Sequence, residues 1–190
     1  MGFREAYQLW ATNDYFDEAT RQELLSVRDN EKEIEDRFYK ELEFGTGGMR
    51  GVIGAGSNRI NKYTVRKAAQ AFANYIKKEG LAGKGVVIAY DSRRCSREFA
   101  METAQVMAAN GIQAYLFVEL RPTPELSFAV RHLNCAGGVV ITASHNPKEY
   151  NGFKADRSDG CQLPPKEADA VTLEFNAIND ITTIRPMPYE

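Results

Sequence analysis

Three short apolar runs, separated by segments with helical spacing, constrain the fold of this chain more than any other feature. The runs are residues 86–90, 112–118 and 138–142, and they are rich in valine and isoleucine. The first shows no alternation of apolar and polar residues, which is typical of a strand buried on both faces of a parallel sheet. The order strand, helix, strand, helix, strand predicts an α/β fold, with a mostly parallel mixed sheet sandwiched between helices.

The chain divides into three parts by pattern. Residues 1–42 are charged and helical in spacing, and Thr20-Arg-Gln-Glu23 has the form of a capping box, so we expect an N-terminal helical extension. Residues 43–178 hold the α/β pattern. Residues 179–190 contain two prolines and are expected to be a linker, or a truncated end that leads toward a missing second domain.

Composition excludes several functional classes. The 190 residues include 24 Lys plus Arg and 26 Asp plus Glu, a net charge of −2, and nucleic-acid-binding proteins are usually basic. The apolar runs are too short for a transmembrane helix, so we expect no membrane partner. Three cysteines without a CxxC pair argue against a disulfide scaffold or a zinc site and indicate a reducing, cytoplasmic environment.

Two polar loops follow predicted strands, at residues 91–94 and 142–147. Ligands of open α/β sheets bind at the carboxyl ends of the strands, so both loops are candidate sites. Ser144 could serve as a nucleophile if a base or a charged neighbour activated it. His145 is adjacent, but neighbouring side chains point apart on an extended backbone, so we do not expect it to act as a direct base. The alternative is a capped turn without catalytic function.

Two other segments allow a site or a purely structural explanation. Residues 44–59 contain six glycines and an embedded arginine, Arg50, which could neutralise a phosphate or simply mark a bent strand. Asp156 and Asp159 flank a turn, where we expect a solvated hairpin tip, with a metal site as the alternative. From these residues alone, the chain is interpreted as a phosphate-handling α/β domain.

Four motifs make the interpretation more specific. Ile-Thr-Ala-Ser-His-Asn-Pro at 141–147, followed by Tyr-Asn-Gly-Phe-Lys at 150–154, resembles the phosphoserine loop of the α-D-phosphohexomutases, the phosphoglucomutase and phosphomannomutase superfamily. The glycine-rich segment at 43–51 resembles the N-terminal signature of that family. Asp-Ser-Arg at 91–93 and Ser-Asp-Gly at 158–160 match two further short motifs. The resemblance covers residues 40–178, so that residues 43–178 correspond to domain I of the family.

The resemblance implies an intramolecular phosphotransferase mechanism. Ser144 would be the phosphoserine nucleophile, would donate its phosphoryl group to a sugar monophosphate, and would help to bind Mg²⁺ through its phosphate. Glucose 1,6-bisphosphate would be the activator. The resemblance gives catalytic positions to Lys154, Arg50 and His145. It gives substrate- or phosphate-binding positions to Thr46, Gly47, Asn146, Asn151 and Arg93, the last with a loop-ordering role.

The chain also departs from the family pattern. The metal-binding DGDxDR loop, the sugar-specificity loop and the phosphate loop of the later domains are missing. We therefore expect the first domain of a mutase, inactive alone, whose partners are a phosphosugar and the remaining domains. Glucose is the preferred sugar, with mannose and pentose as alternatives. A non-catalytic phosphosugar-binding module and an unrelated protein-contact domain also remain as alternatives.

Overall fold

The computed structural model describes residues 2–188, so Met1, Tyr189 and Glu190 lie outside the described residues. None of the described helices is long and apolar enough to cross a bilayer. The helices are α1 (Phe3–Thr12), α2 (Glu18–Ser26), α3 (Glu31–Phe38), α4 (Lys62–Lys78), α5 (Ser96–Ala109), α6 (Thr123–His132) and α7 (Pro165–Ala177). The strands are β1 (Gly48–Val52), β2 (Val86–Tyr90), β3 (Ala114–Leu116), β4 (Gly137–Ile141) and β5 (Tyr150–Arg157).

The five strands form one mixed sheet in the order β1-β5-β4-β2-β3. Strands β4, β2 and β3 run parallel, whereas β5 is antiparallel to both β4 and β1. Helices α4, α5 and α7 pack on one face, and α6 packs on the other face against β2 and β4. The expected α/β class, with a mixed sheet between helices, is confirmed.

The strand expected over residues 112–118 is shorter than its apolar run. Only Ala114–Leu116 pair with a neighbour, because β3 is the edge strand and has β2 on one side alone. Ile112 is buried in the core before the strand begins, and Val118 is 89% exposed after it ends. The apolar run therefore crosses from the core to the surface and does not form one continuous strand.

Helices α1–α3 form a small aromatic core of their own. The Trp10 ring stacks on Phe16 with the centroids 4.3 Å apart, and both rings contact Tyr63 of α4, which fixes the helical extension to the domain. Helix α2 begins three residues earlier than the capping box at Thr20 indicated. Its N-cap is Asp17, whose carboxylate accepts a hydrogen bond from the Thr20 backbone amide at 2.9 Å.

Residues 179–188 return to the domain. Ile184 is buried in the main core, and the Met187 backbone amide donates to the Gln105 carbonyl oxygen at 3.0 Å. The described part of the expected linker thus packs against the sheet-and-helix unit, and its last two residues lie outside the described residues. The division of the chain at residues 42 and 178 stays a prediction.

Candidate phosphoryl-transfer site

Ser144 lies in a sharp turn just beyond the end of β4. Its backbone has a φ of 56°, in the left-handed region that non-glycine residues rarely adopt. The Ser144 amide donates to the Thr142 hydroxyl oxygen at 3.0 Å, which helps to hold this conformation. Strain of this kind costs about 1–3 kcal/mol and is found preferentially at functional sites. The turn leaves the side chain exposed while Ala143, one residue before, is buried.

Arg93 holds the Ser144 loop from the neighbouring loop after β2. Asp91 orients this arginine, because its carboxylate accepts from the Arg93 amide at 2.9 Å and lies 3.5 Å from Nε. The guanidinium donates to four carbonyl oxygens of the serine loop, those of Ser144 (2.9 Å), Asn146 (2.6 Å), Pro147 (2.8 Å) and Tyr150 (3.1 Å). One planar cation therefore determines the shape of the loop that presents the serine.

The structure places Asn151 in the scaffold beneath the site. The side chain is fully buried, and its amide group donates to the Arg94 carbonyl oxygen at 3.0 Å and to the Ser96 hydroxyl at 2.9 Å. Its oxygen accepts from the Gly152 amide at 2.8 Å. Both amide hydrogens are thus in use within the protein. The phosphate-binding role expected for Asn151 does not fit this arrangement, and the residue instead ties β5 to the Arg93 loop.

His145 lies nearer to the serine hydroxyl than an extended backbone would allow. Its Nδ1 is 3.3 Å from Ser144 Oγ, and both side chains are exposed. The expectation that the two side chains point apart is wrong, because the left-handed turn at Ser144 rotates consecutive side chains toward the same side. The imidazole is within reach of the hydroxyl proton.

Two openings flank the serine loop. The first, the Arg93 groove, has a volume of about 770 Å³ and is lined by Asp91, Ser92, Arg93, Arg94, Ser144, Asn146, Lys148 and Glu149. The second, the Lys154 cavity, has a volume of about 290 Å³ and is lined by Glu43, Gly45, Thr46, Gly47, Gly48, Met49, Arg50, Lys154 and Gln162. Arg50 links the two, since its Nη1 donates to Asn146 Oδ1 at 3.4 Å. Cationic side chains therefore line both openings, and Arg50 connects the second opening to the serine loop.

Glycines let the loop before β1 approach β5 closely. Gly48 has a φ of 151°, and a Cβ placed there would lie 2.0 Å from the Phe153 carbonyl oxygen. At Gly47, with a φ of 83°, a Cβ would overlap the Gln162 side chain, which donates to the Thr46 carbonyl oxygen at 3.2 Å. The glycine-rich segment is therefore a bent entry into β1 that forms one wall of the Lys154 cavity.

Lys154 and Asp156 lie two residues apart on the same face of β5. Burial lowers the pKa of Lys154, and the nearby Arg50 guanidinium lowers it further, whereas Asp156 acts in the opposite direction. Burial raises the pKa of Asp156 to about 6, against the attraction of Lys154. Asp156 is only 4% exposed, so the expected solvated hairpin tip is wrong for this residue, although it fits the partly exposed Asp159.

The donor atoms of the described residues do not make a complete Mg²⁺ site. Within residues 2–188, no group of three histidine, cysteine, aspartate or glutamate side chains could hold a metal ion. Asp91, a carboxylate that lines the Arg93 groove, is engaged with Arg93 and with the Ser96 hydroxyl at 2.7 Å. A phosphate on Ser144 would add oxygen ligands, but the described residues supply no group of three side-chain ligands to accompany it.

Three residues contribute to the site without having been identified as functional from the sequence. Thr142 supports the strained serine, Lys148 adds a cation to the Arg93 groove, and Gln162 covers the glycine turn. Thr142 lies within the 141–147 motif and Lys148 directly follows it, and this proximity was the only available signal. Gln162 comes from a segment 116 residues from Thr46, so only the fold brings them together.

Comparison with known proteins identifies relatives over most of the chain. Residues 41–181 match the family model described as phosphoglucomutase/phosphomannomutase, alpha/beta/alpha domain I. The chain is 45% identical over 148 residues to a phosphoglucomutase of Staphylococcus aureus, which covers 78% of this chain and 27% of that protein. It is 48% identical over 147 residues to a phosphoglucomutase of Staphylococcus haemolyticus, and this match covers 77% of this chain and 26% of that protein. The chain thus spans about a quarter of the length of these relatives.

Solved structures agree with the sequence relatives. A Thermus thermophilus structure described as a phosphomannomutase has a TM-score of 0.69 and 34% identity, covering 80% of this chain and 33% of that one. Parafusin from Paramecium, described as a phosphoglucomutase in its open form, has a TM-score of 0.62 and 26% identity, covering 80% and 28%. The chain therefore belongs to the phosphoglucomutase/phosphomannomutase family and contains its α/β/α domain I.

Proposed function

We propose that this domain carries the phosphoryl-accepting serine, Ser144, of a cytoplasmic phosphosugar mutase that interconverts sugar 1-phosphates and 6-phosphates. The observation that carries the proposal is the strained, exposed Ser144 turn, held by Arg93 between two openings lined with cations. Phosphoryl transfer depends mainly on positioning and on neutralising charge, and this geometry supplies both.

The transfer step assigns a role to each side chain at the turn. The Ser144 oxygen forms a bond to phosphorus while the bond from phosphorus to the sugar oxygen breaks. The serine proton passes to a base, for which His145 Nδ1 at 3.3 Å is within reach. The departing sugar oxygen takes a proton from Lys154. Arg50 stays charged and stabilises the negative charge on the transferred group. Return of the phosphoryl group to the other sugar hydroxyl reverses these steps.

Several residues would bind the phosphosugar in this scheme. Thr46 and Gly47 line the Lys154 cavity, and Asn146 lies between the two openings. Mg²⁺ dependence and activation by glucose 1,6-bisphosphate belong to the same proposal, with the metal ligands other than the Ser144 phosphate supplied by residues outside this chain. Glucose is the preferred sugar, because both phosphoglucomutase relatives align along this domain.

Phosphosite mapping tests the proposal directly. The chain is incubated with glucose 1,6-bisphosphate and Mg²⁺, and intact mass and peptide mapping follow. One added phosphoryl group on Ser144, lost in Ser144→Ala but kept in Ser92→Ala, is the expected result. Ser92 is the matched control because it is an exposed serine of the same groove. Phosphorylation elsewhere, or equal labelling of Ser144→Ala, would contradict the assignment.

If no phosphate is transferred, the same challenge on a longer chain that includes the later domains separates two causes. Labelling of Ser144 only in the longer chain would show that the other domains complete the site. No labelling in either chain would overturn the nucleophile assignment. We expect the present chain alone to lack mutase activity, so measurable conversion of glucose 1-phosphate by it would contradict that part.

A non-catalytic phosphosugar-binding module is the second candidate. The Arg93 groove and the Lys154 cavity would bind phosphate whether or not Ser144 reacts. Calorimetric titration with glucose 1,6-bisphosphate distinguishes the two. Binding that is retained in Ser144→Ala, with no phosphorylation of the wild-type longer chain, would favour the module over the mutase.

A further inference from the structure

Asp156 is a buried carboxylate that the transfer scheme does not use. It lies on β5 opposite Gly138 of β4 and is 4% exposed. Within residues 2–188 the groups that act on its charge are Lys154 and Asp159, both through space and neither through a hydrogen bond, whereas Asp159 itself pairs with Arg157. A buried charge without a bonded partner is costly, so the position calls for an explanation beyond the stability of the fold.

Strand register places Asp156 behind the Lys154 cavity. Residues two apart on a strand point to the same face, so Asp156 and Lys154 share a face of β5. Lys154 lies opposite Gly48 of β1, and Arg50 lies opposite Gly152, so Arg50 is on that face as well. The absence of side chains at Gly48 and Gly152 leaves room for the two cations to lie close together.

The charged groups around Lys154 divide into two sets with opposite effects. Arg50, from β1, disfavours the ammonium form of Lys154, and so does burial. Asp156, from β5, favours it, and Glu43 lies farther along the same cavity. The neighbours from β4 and α6 are apolar. Val140 of β4 lies opposite Lys154, and Leu126 and Val130 of α6 lie over Gly138, which is opposite Asp156. Asp159 faces Asp156 from the turn.

We propose that Asp156 is a positioning residue that acts through Lys154, attracting its ammonium group through space from the same face of β5 and favouring its charged form in the resting enzyme. The inference rests on the proposed function, in which Lys154 gives a proton to the departing sugar oxygen. Burial and Arg50 both lower the pKa of Lys154 and so disfavour the ammonium form, which is the form that can donate that proton. Asp156 opposes them without forming a direct ion pair that would hold the lysine away from the sugar.

The test measures the pKa of Lys154 by NMR, from the ¹³Cε chemical shifts of labelled lysines. Lys154→Arg assigns the resonance. In Asp156→Asn, an isosteric and neutral change, we expect the pKa of Lys154 to fall by about half a unit or more, a threefold or greater change in proton affinity. Asp159→Asn is the matched control and should leave it unchanged. An unaltered Lys154 pKa in Asp156→Asn would overturn the proposal.

A reciprocal variant keeps the test decisive if Asp156→Asn folds poorly. Proton binding at two coupled groups is reciprocal, so Lys154→Met should raise the pKa of Asp156. That pKa is measured from the ¹³Cγ chemical shift of Asp156. No change at Asp156 in a folded Lys154→Met protein would likewise contradict the pairing.

The pH profile of Ser144 phosphorylation tests whether the effect of Asp156 on Lys154 matters for phosphoryl transfer. An acid must be protonated to act, so the alkaline limb of the profile should move to lower pH in Asp156→Asn, in the form of the chain that transfers phosphate. A shifted Lys154 pKa with an unmoved profile would overturn the role in transfer. A shifted Lys154 pKa with no wild-type phosphorylation in any form would support the pairing and overturn the proposed function.

Discussion

Replacement of Arg93 by alanine should loosen the serine loop far more than its surface position suggests. The guanidinium makes four hydrogen bonds to loop carbonyls at 2.6–3.1 Å, and its side chain is 16% exposed. Because the freed carbonyls can be hydrated, each bond contributes at the low end of the usual range, about 0.5–1 kcal/mol, and together they contribute about 2–4 kcal/mol. At 2 kcal/mol, opening of the loop becomes about 30-fold more frequent.

Hydrogen exchange measures this opening at two amides within the loop. The Asn146 amide donates to the Ala143 carbonyl oxygen at 3.1 Å, and the Tyr150 amide donates to Pro147 at 3.0 Å. Both should exchange about 30-fold faster in Arg93→Ala, while amides of β2 change little. Arg94→Ala is the matched control, since Arg94 is exposed in the same groove and makes none of the four bonds. Unchanged exchange in Arg93→Ala, or equal acceleration in Arg94→Ala, would refute the clamp.

Three further predictions concern stability, measured by urea unfolding. Gly48→Ala should lower the free energy of unfolding by more than about 2 kcal/mol, because its Cβ would lie 2.0 Å from a carbonyl oxygen. Gly83→Ala is the control, since the space around Gly83 is open, and it should change the free energy of unfolding by less than about 0.5 kcal/mol. Asp156→Asn should be more stable than wild type at pH 8 by up to about 3 kcal/mol, because the pKa of Asp156 is raised to about 6 in the folded state and its ionised form therefore destabilises that state. This difference in stability should disappear as the pH falls from 6 toward 4, and a difference that does not change with pH would contradict the prediction. Burial raises the pKa of Asp17, but hydrogen bonds from Lys62 and Thr20 outweigh it and lower the pKa to about 2. Asp17→Ala, which also removes the N-cap of α2, should therefore lower the free energy of unfolding by about 1 kcal/mol at neutral pH. This loss should become smaller only below about pH 4.

Elements that depend on local pattern were predictable from the sequence. Val86–Tyr90 is a central strand buried on both faces, as its unbroken apolar run indicated. Elements that depend on neighbours were not. The end of β3 is determined by its edge position, and the start of α2 is determined by Asp17, since both Asp17 and Thr20 are acceptable N-cap residues and sequence alone does not choose between them.

The features of the site also divide into those that the local sequence predicts and those that depend on neighbours in the fold. The motif located Ser144, the loop that carries it and the neighbouring Thr142, but the loop is also held by Arg93, which only the fold brings to it. The burial of Asp156 depends on α6 packing over the opposite strand, where Gly138 has no side chain, and no local signal indicates this. A pattern of residue types therefore gives the chemistry of a site, whereas its strain and its pKa values come from tertiary contacts.

A chase experiment tests the central claim most directly, since it asks whether phosphate on Ser144 can leave for a sugar. The chain, or the longer form if only that form is labelled, is phosphorylated at Ser144 and freed of excess bisphosphate. It is then mixed with glucose 6-phosphate and Mg²⁺. Our account predicts that the phosphoryl group leaves Ser144 and appears as glucose 1,6-bisphosphate, faster than it is lost to water in the absence of sugar. Phosphate that stays on the serine, or appears only as inorganic phosphate, would contradict the account.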